Sequence, residues 1–304
     1  MKVKYPFRAM GSSCEIIVRS DYQSAAQGMM EAAVQEVLRL EKKYSFYAPD
    51  SYLSDINTHA AQGWVETDKE TGWLLGVADR LNKSTKGLYD PTIGPLSKIW
   101  DFRDMRVPHP REIDQAMETV GWDKVEVDGQ RCRFLHPGTK IDLGGIVKEY
   151  AVDRCAQLLN MMGADCYLIN LGGDMALKNS SSSGKSKHKP WNVGVSAPRD
   201  HKQTATGIEI DNGFIVTSGD YHRYFIRDGI RYHHLLNPKT GRPIALKYAG
   251  VTFVGGDTAL ETSMSLTSFY YSGGNADSIP ANIESFVLFD TEGRLHPKSK
   301  LLPN

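Results

Sequence analysis

The chain has 304 residues, 40% of them apolar and 24% charged, and its 36 Lys plus Arg balance 36 Asp plus Glu. That is long enough to bury a core as one large domain or two closely joined ones. The zero net charge argues against nucleic acid, which calls for a basic surplus or stripe, and no run approaches the roughly 18 apolar residues of a membrane helix.

The N-terminal MKVKYPFRAMGSSCEIIV lacks the apolar core of a signal peptide and enters a strand pattern at once. As written the chain reads as cytoplasmic, or periplasmic if an export signal has been trimmed. Residues 12–19 alternate as a strand, with Ala9-Met10-Gly11 leading in. Asp21 then caps a helix to about Lys43, with Ala25, Met29, Ala32, Val37 and Leu40 along one face. Residues 44–57 carry Tyr44, Phe46 and Tyr47, a Pro-Asp-Ser turn and Ser54-Asp55, which reads as a loop packed by its own aromatics. A helix over roughly 70–86 ends at Gly87. In the next stretch, 88–102, Asp90-Pro91-Thr92 and Gly94-Pro95 set two turns within six residues. Prolines there exclude helix and ladder alike, leaving a rigid connector or a pocket wall bearing Asp90, Thr92 and Trp100.

Pro110 starts a short helix that ends at Gly121. Strands near 124–128 and 131–135 form a hairpin around Asp128-Gly129. Then comes IDLGGIVKEYAVDRCAQLLNMMGADCYLINLGGDMALK, residues 141–178. It reads as a strand end, a Gly-Gly turn, an amphipathic helix closed by Gly163, a strand and a second Gly-Gly turn. The helix shows Val147, Ala151, Cys155, Leu158 and Met162 at helical spacing as a core face. Asp142 precedes the first glycine pair and Asp174 follows the second. Glycine pairs let backbone N–H groups approach a ligand, and the helix N-terminus behind the first favours an anion. Such pairs are also ordinary punctuation, and no G-x-G-x-x-G fingerprint is present, so a ligand site and a plain turn both fit. The four cysteines (Cys14, Cys132, Cys155, Cys166) show no C-x-x-C spacing and read as small buried hydrophobes.

Residues 179–189 are a low-complexity, mildly basic loop with no assigned function. Strands follow at 191–198, 206–210 and 213–217. Within 217–243, Thr217-Ser218-Gly219-Asp220 is a polar turn and Asp228-Gly229 joins two alternating strands. His233 and His234 point to opposite faces of a strand, so one at most serves a site. A helix over 257–273 is capped by Asp257 or Thr258, and strands near 285–289 and 293–296 finish the chain. No internal repeat and no long linker divides it.

Seven motifs taken in order are similar to those of one family. They are Ala9-Met10-Gly11, the Tyr47 to Ser51 loop, Gly87 to Leu96, Asp142 to Asp153, Asn170 to Asp174, Thr217 to Tyr221, and His234 to Gly241. On these the chain resembles the FAD:protein FMN transferases, the ApbE family. The resemblance implies a mixed α/β (α+β) fold, one two-lobed domain over 1–304 with antiparallel-rich sheets and flanking helices, and FAD in the cleft. It also implies magnesium-dependent splitting of FAD, FMN passing to a Thr or Ser hydroxyl of an acceptor flavoprotein while AMP leaves. Met10, Tyr47, Asp50, Asp90, Lys148 and Asp174 match flavin-cleft positions, and His234 matches the family's candidate base. The Gly145 carbonyl and Thr267 match magnesium contacts. Ser263 stands where the family carries a metal aspartate, Asn237 where it begins a D-P-x-T-G turn, and Glu149 where glycine is usual. Glu149, Glu261 or Asp257 could replace the missing acid, or the site could bind without transfer. The corresponding functions are a flavin transferase, an FAD-binding protein without transfer, and an FAD diphosphatase giving FMN and AMP.

Overall fold

The computed structural model describes residues 1–180, 189–221 and 223–300. It opens with a hairpin of β1 (Lys2–Ala9) and β2 (Ser12–Arg19), turning through Met10 and Gly11 at φ of 50° and 68°. There follow α1 (Gln23–Tyr44), α2 (Tyr52–His59), β3 (Val65–Glu66), α3 (Lys69–Ser84), α4 (Gly94–Ile99) and α5 (Pro110–Met117). The hairpin of β4 (Val125–Asp128) and β5 (Arg131–Phe134) takes β3 on its other edge. Next come α6 (Val147–Met161), β6 (Cys166–Leu171), β7 (Asp174–Asn179), β8 (Trp191–Ala197), β9 (Asp200–Ile210) and β10 (Gly213–Gly219). The small pairs β11 (Tyr224–Arg227) with β12 (Ile230–His233) and β13 (Leu236–Asn237) with β14 (Arg242–Pro243) precede β15 (Gly250–Gly255), α7 (Ala259–Tyr271) and β16 (Ile283–Phe289).

Seven strands form one sheet in the order β1-β2-β6-β7-β10-β15-β16, each neighbour pair antiparallel. Side chains alternate along a strand, so the sheet buries both faces with different partners. One face carries Ile16, Val18, Ile169, Ala176, Val216 and Phe253 and packs in the main core with α1, α6 and α7. The other carries Ile17, Leu168, Leu177, Ile215, Val254 and Val287 and is covered by the β8–β9 hairpin through Trp191, Val193, Val195, Ile208 and Ile210. A third cluster joins Leu96, Trp100, Ile113 and Ala116 to Phe225 and Leu236, with the Trp100 indole donating to Gly241 O at 2.8 Å.

Several local expectations change. Tyr22, not Asp21, is the N-cap of α1, and the inward face is Ala26, Met30, Ala33, Val34, Val37 and Leu40 rather than the Ala25, Met29 and Ala32 stripe. Apolar doublets at 25/26, 29/30 and 32/33 fit either stripe, and contact with the sheet selects one. From Tyr52 the expected aromatic loop is α2, capped where the Ser51 hydroxyl accepts from Ser54 N. Helix does form inside 88–102, because Pro91 and Pro95 fall in first turns, where no N–H is needed. The helix beginning at Pro110 stops at Met117, before Gly121. On α6, Leu158 is only half-buried and Met162 is exposed, while Val152 and Leu159 are buried. Residues 293–296 make only an isolated bridge, Leu295 to Phe289. Most of the 179–189 loop, residues 181–188, lies outside the described residues. All four cysteines are buried and free. Among the described residues, no helix is long and apolar enough to cross a membrane.

Candidate active site

The two glycine turns meet at α6 and β7. Gly172 and Gly173 both lie at positive φ, 66° and 102°, a conformation that glycine adopts without strain, and Asn170 Oδ1 accepts from Gly173 N at 2.8 Å. That turn delivers Asp174, fully buried, to the helical face of the sheet, where Oδ1 accepts from Thr217 N at 3.1 Å. Lys148, in the first turn of α6, places Nζ 2.7 Å from Asp174 Oδ2. Burial, the largest influence on Lys148, acts to lower its pKa, but Asp174 and Glu149 outweigh it and hold the ammonium above its ordinary range.

Glu149 is turned inward beside this pair, only 7% exposed, and its Oε2 has no hydrogen-bond partner among the described residues. Burial and then the like charge of Asp174 push its carboxyl upward. Tyr89 closes the same corner. Its hydroxyl is buried without a partner among the described residues, and burial, followed by Asp142 and Glu149, raises the phenol far above its usual value. A side chain on Gly145 would come within 2.9 Å of the Tyr89 ring, so glycine lets the backbone pass beneath it.

The packing of α7 on α6 fixes which residues share this corner. The Asp153 carboxylate accepts from Ala259 N at 2.7 Å and Leu260 N at 3.1 Å, seating the start of α7 against the second turn of α6. At the other end, Tyr271 lies near Tyr89, which touches Gly145. Glu149, one turn before Asp153, lies on the same face of α6 and is turned toward α7. Ser263 is buried there at 6% exposure and Thr267 is half-buried.

His234 follows β12, and its N–H donates to Arg223 O at 3.1 Å. Its Nδ1 is buried without a partner among the described residues. Burial, then the positive charge of Arg223, the neighbouring His233 and Lys148, lower its pKa to about 3, so the imidazole is neutral at pH 7. His233 turns the other way, its Nε2 3.1 Å from Ile244 O. Arg223 also acts electrostatically on Tyr47 and Asp142, and its guanidinium fills the space above Gly11. Asp142 stands out in the sequence beside the first glycine turn, whereas Arg223 and Tyr89 do not. Their signal was position alone, inside or beside motifs whose other residues were weighed.

The remaining candidates are placed less directly. Met10 is half-buried against the main core and its N–H donates to Glu41 of α1. Tyr47 is 66% exposed with its ring against Phe46, and Asp50 is exposed in the turn before α2. Asp90 faces inward. Its Oδ1 accepts from Thr92 N at 2.8 Å and Thr92 Oγ1 at 2.6 Å, and its Oδ2 accepts from Trp122 N at 2.9 Å. The carboxylate braces the 90–122 corner. A cavity of about 520 Å³ lined by Val193, Val195, Ile215, Thr217 and Thr252 touches Gly173 but opens beneath the β8–β9 hairpin, away from Lys148.

Among the described residues, no three His, Cys, Asp or Glu side chains converge as a metal cluster. Gly145 O, Ser263 and Thr267 are neutral donors, a poor set by themselves for a hard dication. Glu149, buried four residues after Gly145, is the acid from which the missing charge would come, and with it the set could hold a magnesium ion.

The ApbE family profile matches residues 10–278. A Vibrio cholerae FAD:protein FMN transferase is 33% identical over 213 residues, 68% of this chain and 63% of that protein. The Haemophilus influenzae FAD:protein FMN transferase is 31% identical over 234 residues, 73% of this chain and 66% of that protein. The matched stretch thus spans a little under two thirds of each relative's length. Among solved structures, the ApbE protein from Thermotoga maritima superposes with a TM-score of 0.85 at 30% identity, covering 97% of this chain and 96% of that one. The flavin transferase ApbE from Vibrio cholerae gives 0.82 at 25% identity, again covering 97% and 96%. The mixed α/β architecture expected from the sequence is the one these structures share.

Proposed function

The chain belongs to the ApbE family, and from that premise we propose that it is an FAD:protein FMN transferase. Its substrates are FAD and a Thr or Ser hydroxyl on an acceptor flavoprotein, and its products are flavinylated acceptor and AMP. The observation that carries this reading is the neutral His234 imidazole, its Nδ1 without a partner among the described residues, within the field of two cations, Arg223 and Lys148.

Each group has a task in that chemistry. The hydroxyl oxygen forms a bond to the FMN phosphorus, and the phosphorus–oxygen bond to AMP breaks, AMP keeping the electron pair. His234 takes the hydroxyl proton, a role open to it because it enters neutral. Lys148 and Arg223 offset the negative charge that accumulates on the leaving phosphate. Gly144 and Gly145 admit the diphosphate close to the start of α6. A magnesium ion held at Gly145 O, Thr267 and the Glu149 seam would supply Lewis-acid neutralisation of the phosphates.

The test is to incubate the protein with FAD, Mg²⁺ and a threonine-containing acceptor peptide. Peptide carrying covalent flavin, with AMP released in equal amount, is expected. AMP without labelled peptide would make the chain a diphosphatase, and FAD binding with neither product would make it a binding protein. His234→Ala is expected to slow transfer by about 10²–10⁴-fold while FAD still binds; an unchanged rate removes His234 as the base.

A further inference from the structure

We propose that Glu149 is the carboxylate that holds the divalent cation in this chain, doing from α6 what Ser263 cannot do from α7. The inference rests on the flavin-transfer reading and names the residue that anchors its metal.

The acids of this corner can be taken in turn. Asp174 has one oxygen on Thr217 N and the other on Lys148 Nζ. Asp153 spends both oxygens on the N–H groups of Ala259 and Leu260. Asp90 spends both on Thr92 and Trp122. Asp142 Oδ1 accepts from Gly144 N at 2.8 Å, closing the first glycine turn. Asp257 and Glu261 stand exposed at the outer end of α7. Glu149 Oε2 and Asp174 Oδ2 are the buried carboxylate oxygens that accept no hydrogen bond among the described residues, and of the two Asp174 Oδ2 is met by the Lys148 ammonium, at 2.7 Å.

Glu149 Oε2 sits where an acid is costly to keep. Burial without a partner disfavours an ionised carboxylate, more strongly than it does a neutral polar group. Asp174, of like sign, lies beside it, and the nearest ammonium is already engaged by Asp174. A dication is the partner that offsets both penalties together, since it carries the charge to neutralise Glu149 and has vacant positions for phosphate oxygens. The helix register points the same way. Asp153 is fixed at residues 259–260 of α7 and Tyr89, over Gly145, lies near Tyr271. Glu149, one turn before Asp153 on the same face of α6, therefore faces α7 about one turn past residues 259–260, the level of Ser263. Carboxylate and hydroxyl have exchanged sides.

Mn²⁺ serves as the probe, its free ion counted by electron paramagnetic resonance as it is titrated into FAD-saturated full-length protein. Wild type is expected to bind Mn²⁺, and Glu149→Gln to bind it about tenfold or more weakly, with FAD affinity in metal-free buffer, from flavin fluorescence, little changed. The double variant Glu149→Gln with Ser263→Asp is expected to recover binding, because the acid returns to the same seam. Equal Mn²⁺ affinity in wild type and Glu149→Gln overturns the assignment, as does no Mn²⁺ uptake by the FAD-bound wild type. Failure of the double variant to recover also overturns it, since the loss then comes from a disturbed corner. Absence of FAD binding is a different failure, which sinks the flavin reading and this inference with it.

Discussion

Two kinds of buried acid stand within a few residues of each other in this protein. In one region, Asp90 and Asp153 have every oxygen occupied by hydrogen-bond donors of their own chain, and they brace corners: 90–122 for Asp90, the start of α7 for Asp153. In the other, Glu149 and Asp174 lie beside each other with one ammonium, that of Lys148, on Asp174, and Glu149 Oε2 has no partner among the described residues. Burial is similar, since Asp90, Glu149 and Asp153 are each 7% exposed. The difference is saturation: a satisfied acid is architecture, and an unsatisfied one is a place kept for something that binds.

The largest expected effect tests the unsaturated side. Lys148→Met leaves Asp174 buried against Glu149 with no cation, and breaking a buried pair from one side costs about 3 kcal/mol or more. Urea denaturation at pH 7 should show that loss, and added Mg²⁺ with FAD should recover part of it through binding to the native state. A loss below about 1 kcal/mol would mean that the corner relaxes or protonates freely, and the contrast between the two regions would dissolve.

A smaller effect tests the saturated side. Asp90→Ala frees the Thr92 N–H, the Thr92 hydroxyl and the Trp122 N–H together, with an expected cost of about 2 kcal/mol. FAD affinity of the folded variant should stay close to wild type. A tenfold loss of FAD affinity with stability intact would move Asp90 into the flavin cleft, where the family resemblance placed it.

How much of this was legible beforehand depended on whether the determinant was local. The glycine turns at 144–145 and 172–173, the Asp228-Gly229 hairpin and the Thr258 cap of α7 are set by neighbouring residues and could be read directly. The face of α1 could not, because two stripes satisfied the same spacing and the sheet chose between them. α4 was missed because Pro95 was counted as a breaker, when it lies in a first turn and costs no hydrogen bond. In the site, Lys148, Asp174 and His234 sat in recognisable motifs. The saturation of Asp90 depends on Trp122, and the opening for Glu149 depends on how α7 crosses α6; both contacts span long stretches of chain that no motif encodes.

The smallest effect is a pH slope, and it comes from Asp153. Burial raises its pKa from 3.8 to about 6, with the Ala259 and Leu260 N–H groups pulling downward and Glu261 pushing up. Between those values the native state holds the extra proton, so the slope of stability with pH is negative there. The Asp153 contribution is complete below about pH 4 and is lost as pH rises through about 6. Asp153→Asn keeps the shape and one acceptor but cannot titrate. The stability advantage of wild type over this variant should therefore shrink by at most about 1.4 kcal/mol per pH unit across that window, read from urea midpoints at half-unit steps. An advantage that grows with pH would mean that the ionised carboxylate is the form α7 needs. In that case saturation by two N–H groups outweighs burial, and Asp153 belongs further from Glu149 in character than its burial suggests.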